Sequence, residues 1–74
     1  MKTNLAKANN KKLKVVQING GHNILKKLNS MGIFEGSWIE KVVSYEHGPI
    51  IVKVMNSRLA IGRGMAEKIM VEEI

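Results

Sequence analysis

The chain has 74 residues, with 12 lysines and arginines, 6 acidic residues, a formal net charge of +6 and no cysteine. A single small domain of this length has no room for a dinucleotide-binding fold or a large catalytic cleft, and the lack of cysteine excludes disulfides and thiolate-ligated metal sites. No apolar run is long enough to span a membrane, and the basic N-terminus lacks the apolar region of a secretory signal, so we expect a cytoplasmic protein.

The positive charge is concentrated near the N-terminus. Residues 1–14 contain five lysines and no acidic residue, whereas the rest of the chain is nearly neutral. A short basic stretch with few apolar residues is typical of a solvated segment. We therefore predict a basic flexible N-terminal arm over residues 1–12 and a folded domain over residues 13–74. The alternative is a small nucleic-acid-binding barrel whose basic N-terminal arm binds phosphates.

The folded domain is predicted to begin with a strand and a helix. Apolar residues at 13–18 predict a strand that stops at the two glycines 20–21. The next apolar residues recur at helical spacing, which predicts a helix of roughly two to three turns. His22 or Asn23 is its expected N-cap, and Gly32 suits the position after its last turn. The apolar positions of this helix are Ile24, Leu25, Leu28 and Met31.

The rest of the chain is predicted to form strands. Gly36 is the pivot of a turn that precedes them, residues 56–57 form a two-residue hairpin link, and residues 65–67 form one helical turn. We predict a mainly β fold, a small SH3-like, partly open barrel of about five strands with one short α-helix inserted after the first strand. The strands after the helix are expected at 38–45, 50–55, 58–61 and 68–72.

Several stretches of this sequence resemble the FeoA family. Residues 28–39 carry the pattern Leu-x-x-Met-Gly-Ile, followed by two residues and a glycine that opens a strand. The runs 48–54, 58–63 and 65–71 are similar to the C-terminal half of that family. The resemblance covers residues 13–74 in the same order and spacing.

The resemblance implies an SH3-like barrel that serves as a cytosolic accessory of a FeoB-type ferrous iron transporter, a membrane protein with a cytoplasmic GTPase domain. Through that partner the chain would lie at the inner face of the membrane. The barrel is also similar to the C-terminal domain of iron- and manganese-dependent repressors, but we find no helix-turn-helix or dimerisation segment in this sequence. We predict neither a small-molecule substrate nor a nucleic-acid partner, and weak self-association stays open.

The predicted contact surface for the partner is the helix together with the turn that follows it. This is the one exposed basic and apolar segment that is expected to project from the barrel. The residues predicted to contact the partner are Leu25, Lys26, Leu28, Met31, Gly32, Phe34 and Gly36.

The candidates for binding a metal are the two histidines. His22 and His47 are both expected on turns, and Glu46 adjoins His47, while Glu35 or Glu40 could lie nearby. No histidine spacing matches a known zinc motif. We therefore predict exposed turn residues, with a metal-sensing domain that binds a divalent transition metal such as iron as the alternative.

The two arginines are candidates for contacts with an anionic partner. Arg58 and Arg63 flank a predicted strand and could act on the nucleotide of a partner GTPase. The simpler interpretation is that they pair with Glu67 or Glu72 on the surface of the domain.

Three aromatic residues fall within twelve positions of one another. We expect Phe34 and Trp38 in the core, because a core this small benefits most from its largest side chains. For Tyr45 a core position and a place in a peptide groove are equally balanced. The chain contains no aspartate, which excludes a Ser–His–Asp triad, and we expect no enzymatic activity.

Overall fold

The structure is a computed structural model and describes residues 2–9 and 11–73. The elements are β1 (Lys2–Asn4), β2 (Lys12–Ile18), α1 (Gly21–Ser30), β3 (Trp38–Ser44), β4 (Ile50–Val54), β5 (Ser57–Ile61), α2 (Arg63–Ala66) and β6 (Ile69–Glu73). The strands form one antiparallel sheet in the order β1-β6-β2-β3-β4-β5. The mainly β, SH3-like fold is confirmed, with one strand more than predicted and the helix after the second strand.

The core is built from aliphatic residues that alternate with exposed ones along the strands. In β2 the alternation changes phase, because the pairing with β6 shifts between Val15 and Gln17. This bulge lets both Val15 and Ile18 point inward, although three positions separate them. The largest fully buried side chains are Leu5, Leu13, Leu28, Ile33, Ile50, Ile61, Ile69, Val15, Val52 and Val71.

The N-terminal segment differs from the flexible arm that we expected over residues 1–12. β1 pairs with β6, and the amide of Leu5 donates to the carbonyl of Ile69 over 2.9 Å. Leu5 is 0% exposed and Ala8 is 4% exposed, so both belong to the core. Lysines and asparagines separate these apolar residues, so no local pattern predicts an ordered segment here. The segment is stabilised by tertiary contacts instead. Residues 1 and 10 of the expected arm, and residue 74 of the expected domain, lie outside the described residues.

Both ends of α1 are formed by glycines with positive φ. The N-cap is Gly20, at φ 102°, and it makes no side-chain cap hydrogen bond, so the prediction of His22 or Asn23 as N-cap is wrong. At the other end Gly32, at φ 88°, donates to the carbonyl of Asn29, and the amide of Ile33 donates to the carbonyl of Leu28. These two bonds define a Schellman motif.

The β4–β5 turn lies one residue earlier than the predicted link at 56–57. Val54 pairs with Ser57, so the two turn residues are Met55, at φ 56°, and Asn56. The register brings the inward side chains of the two strands opposite one another, and a shift by one residue would turn them outward.

Among the described residues no helix is both long and apolar enough to cross a bilayer.

Candidate partner-binding surface

The turn that follows α1 is held against β2 by backbone hydrogen bonds. Ser37 donates its amide to the carbonyl of Phe34 over 3.0 Å, and Gly36 has φ 93°, which suits glycine at the third position of a β-turn. The amide of Gly36 donates to the carbonyl of Val15, and the amide of Val15 donates to the carbonyl of Ser37. The turn is therefore fixed relative to the sheet.

Side chains hold the same turn at two further points. The hydroxyl of Ser37 accepts a 3.0 Å hydrogen bond from the amide of Phe34. A carboxylate oxygen of Glu35 lies 3.3 Å from the amide of Ile18, which donates to it. Because backbone and side chains both fix the turn, Phe34 projects from a rigid support while 49% exposed.

The predicted contact residues divide between this surface and the core. Leu28 is 0% exposed, so its side chain cannot reach a partner, and its inclusion in the contact surface is corrected. Leu28 belongs instead to the Schellman motif at the end of α1, and it packs in the same core as Ile33. The exposed members are Lys26, Phe34 and Gly36, and the half-buried members are Leu25, Met31 and Gly32.

The chemistry of this surface is apolar with a cationic margin. We define the helix–turn surface as Leu25, Lys26, Met31 and Phe34, whose side chains are all at least partly accessible. Lys27 adds a second cation in the last turn of α1, and residues 21–30 contain no acidic residue. Such a surface complements a partner that offers apolar side chains beside carboxylates.

The aromatic residues are all exposed, so the prediction of Phe34 and Trp38 as core residues is wrong. Trp38 is 57% exposed and Tyr45 is 54% exposed. Trp38 precedes the inward-facing Ile39 in β3, and alternation along a strand therefore directs the indole outward. The ammonium of Lys14, on the neighbouring strand, lies 5.9 Å from the centroid of the indole ring.

The histidines do not come together with other ligands. His22 lies in the first turn of α1, whereas His47 lies in the β3–β4 turn, where its Nε2 is 3.7 Å from an oxygen of Glu46. Both side chains of that pair are about 90% exposed, at 92% and 89%. Among residues 2–9 and 11–73, no group of three histidine or acidic side chains is arranged to hold a metal ion.

Arg63 has partners other than the glutamates that we predicted. Its Nη2 donates to the backbone carbonyl of Tyr45 and lies 3.4 Å from the hydroxyl of Ser44. Within the described residues neither Glu67 nor Glu72 forms an ion pair with it. Arg63 therefore joins α2 to the end of β3, and its Nε is buried without a partner.

Lys41 is the residue with a defined role that sequence reasoning missed. Its ammonium donates to the carbonyl oxygens of Ala8 at 2.7 Å and Leu5 at 3.0 Å, and it lies 3.4 Å from that of Ala6. Burial first, and the charge of Arg63 second, lower the pKa of Lys41, while Glu73 raises it. A signal existed, because Lys41 follows the apolar Ile39 by two positions on the same face of a strand.

The fold defines a small SH3-like β domain. The FeoA domain family model matches residues 5–73, which extends the resemblance at 13–74 into the N-terminal segment. The "Putative Fe(2+) transport protein A" of Methanocaldococcus jannaschii is 46% identical over 59 residues, which cover 80% of this chain and 71% of that protein. The chain belongs to the FeoA family.

Solved structures agree with this assignment. A crystal structure described as the iron uptake regulatory protein FeoA is 41% identical, with a TM-score of 0.92 and complete coverage of both chains. A FeoA-like protein from Clostridium acetobutylicum is 25% identical, with a TM-score of 0.85, over 99% of this chain and 87% of that one. The manganese regulator SloR shares the fold at 14% identity and a TM-score of 0.87, with 97% of this chain matching 34% of SloR.

Proposed function

We propose that this chain is a cytoplasmic accessory module of ferrous iron transport, and that it docks through the helix–turn surface on the cytoplasmic GTPase domain of a FeoB-type transporter. The single observation that carries the docking proposal is the exposed Phe34 on a turn that hydrogen bonds hold to β2. A rigid apolar side chain loses little conformational entropy on binding, so it is a suitable anchor for a protein partner.

Iron transport enters this proposal through the family. The relative from M. jannaschii and the solved FeoA structure carry names that refer to iron transport and uptake. The module is proposed to act on the transporter by contact, and iron is then the cargo of that partner.

The charges of the surface define what the docking site on the partner should offer. Lys26 is exposed and follows the half-buried Leu25 in α1, and residues 21–30 contain no acidic residue. We expect an apolar recess with carboxylates at its margin, since charges of opposite sign favour the encounter and fix its orientation.

A nuclear magnetic resonance titration tests this proposal. The ¹⁵N-labelled full chain is titrated with the purified cytoplasmic GTPase domain of the transporter. We expect amide shifts in α1 and in residues 34–37, and weaker binding by Lys26→Glu than by the control Lys7→Glu, which reverses an exposed lysine of the N-terminal segment. Absence of shifts at high micromolar concentration, or shifts only outside these segments, would refute it.

A further inference from the structure

The outer face of β2, β3 and β4 carries a second apolar site, away from α1. Trp38 is 57% exposed and Met55 is 86% exposed. They line an open cavity of about 470 Å³ with Lys12, Lys53, Ile39 and Glu40. We call Lys12, Trp38, Lys53 and Met55 the strand surface. Two large apolar side chains at this exposure, around one cavity, are typical of an interaction site.

The register of the sheet places cations around this cavity. Lys14 lies opposite Trp38, and Lys12 lies opposite Glu40. Glu40 in turn lies opposite Lys53, and Lys53 lies opposite Arg58. Side chains directly opposite one another share a face of the sheet, so a row of charges crosses four strands beside the Trp38 row.

The charge of this face is positive, because its cations outnumber the two acidic residues that the register aligns with them, Glu40 and Glu72. The carboxylate of Glu40 already lies 3.5 Å from the ammonium of Lys11, and Glu72 lies opposite Lys14. Lys14 lies 5.9 Å from the centre of the Trp38 ring, a distance at which an ammonium favours a fixed ring orientation. Lys12, Lys53 and Arg58 are exposed and available to an anionic partner.

We propose that the strand surface binds an acidic peptide segment that inserts one large apolar side chain between Trp38 and Met55. The cavity has the volume of a site for a side chain or a small molecule, and carboxylates that flank the inserted side chain would face Lys12, Lys53 and Arg58. The thioether of Met55 adapts to inserted groups of different shape.

Two other occupants fit the same face less well. A membrane surface would need a wide apolar face, whereas here Trp38 and Met55 are the two large exposed apolar side chains that line the cavity. Single-stranded nucleic acid would need several stacking residues, and this face offers one aromatic ring with a lysine over it.

The inference goes beyond the proposed function, because this surface lies on β2, β3, β4 and the β4–β5 turn and contains none of the residues of the helix–turn surface. It does not depend on the transporter. Binding of a peptide here and binding of the GTPase domain at α1 can each fail while the other holds.

The test is a selection from a random dodecapeptide library displayed on phage, with the full chain as bait. The variant with Trp38→Ser and Met55→Ser serves for counter-selection. We expect the enriched peptides to carry one large apolar residue flanked by glutamate or aspartate. Trp38 is the only tryptophan of the chain, so a synthetic copy of an enriched peptide should shift its fluorescence to shorter wavelength.

Calorimetry with the same peptide then separates the contributions. Trp38→Ser is expected to weaken binding by about tenfold or more, and Tyr45→Ser, at similar exposure, by less than about twofold. Lys12→Gln with Lys53→Gln should weaken binding and reduce its dependence on salt while Trp38 remains. Because these side chains are exposed, circular dichroism should show that all the variants fold.

Four outcomes would overturn the proposal. These are no enrichment, enrichment that survives the counter-selection, enriched peptides without acidic residues, and binding that the lysine variant leaves unchanged. Vesicles of phosphatidylserine, or oligothymidine, that shift Trp38 fluorescence where the selected peptide does not would identify a membrane or nucleic acid as the occupant instead.

Discussion

The ammonium nitrogen of Lys41 in β3 lies 2.7 Å from the carbonyl oxygen of Ala8 and donates a hydrogen bond to it. The same ammonium donates to the carbonyl of Leu5 over 3.0 Å. One side chain of the central sheet thus holds the segment that follows β1. This segment is part of the folded domain, and its stability should depend on Lys41.

Replacing Lys41 by methionine should destabilise the domain. Lys41→Met keeps most of the length of the side chain but removes the donor, and we expect a loss of about 1–3 kcal/mol in the free energy of unfolding. Urea denaturation measures it. The control is Lys53→Met, an exposed lysine on the adjacent strand with no hydrogen bond among the described residues, which should change stability by less than about 0.5 kcal/mol. Equal effects of the two variants would contradict the role of Lys41.

The pH dependence of stability should also reveal Lys41. Burial and the charge of Arg63 lower its pKa in the folded state below the usual value of 10.5. At pH values between the lowered pKa of the folded state and the usual pKa of the unfolded chain, the unfolded chain binds more protons than the folded one. The free energy of unfolding therefore increases as the pH rises. The wild type should therefore gain stability relative to Lys41→Met as the pH rises toward 10.5. A constant or falling difference would show that the pKa is not lowered.

Truncating Leu5 should cost as much as truncating a residue in the middle of the sheet. Leu5 is 0% exposed, and Leu5→Ala is expected to destabilise by about 2–4 kcal/mol through lost burial and a cavity. Lys7→Ala, an exposed residue of the same segment, should be nearly neutral. Thermal unfolding of both variants gives the answer. A mild effect of Leu5→Ala would restore the interpretation of residues 1–12 as a flexible arm.

Two glycines should respond differently to alanine. A Cβ at Gly20, where φ is 102°, would lie 2.6 Å from the Cδ1 of Ile24, so Gly20→Ala should cost about 1–3 kcal/mol. At Gly62 φ is −57° and nothing lies within 4 Å of the added Cβ. Gly62→Ala should be neutral or stabilise by up to about 1 kcal/mol, because it restricts the unfolded chain. Denaturation midpoints that move together would contradict this account of the α1 N-terminus.

Much of the fold could be predicted because local patterns and tertiary contacts agree over residues 13–73. The run from Leu28 to Ile33 is one example. Gly32 supplies the positive φ of a Schellman motif, and Leu28 and Ile33 supply its apolar contact. The strands after α1 were found from their β-branched residues. These elements can be predicted from local patterns, without knowledge of contacts that are distant in sequence.

The wrong predictions have different causes, and for β1 the deciding contact is distant in sequence. β1 pairs with β6, at the other end of the chain, and no local periodicity of apolar residues predicts this strand. Trp38 was expected in the core because it is large, but its strand position decides its direction. Of the predicted contact residues, Lys26 and Phe34 are exposed and Leu28 is buried. Helical spacing does not show which apolar positions of a helix are fully buried against the sheet.

The affinity of matched variants for the cytoplasmic GTPase domain of the transporter is the decisive measurement for docking through the helix–turn surface. Phe34 is 49% exposed and Tyr45 is 54% exposed, so both can be changed to serine at similar structural cost, yet Phe34 belongs to the helix–turn surface and Tyr45 does not. We expect Phe34→Ser to raise the Kd by about tenfold or more and Tyr45→Ser to leave it within about twofold. Equal effects of the two substitutions, or no binding by the wild type, would contradict this expectation.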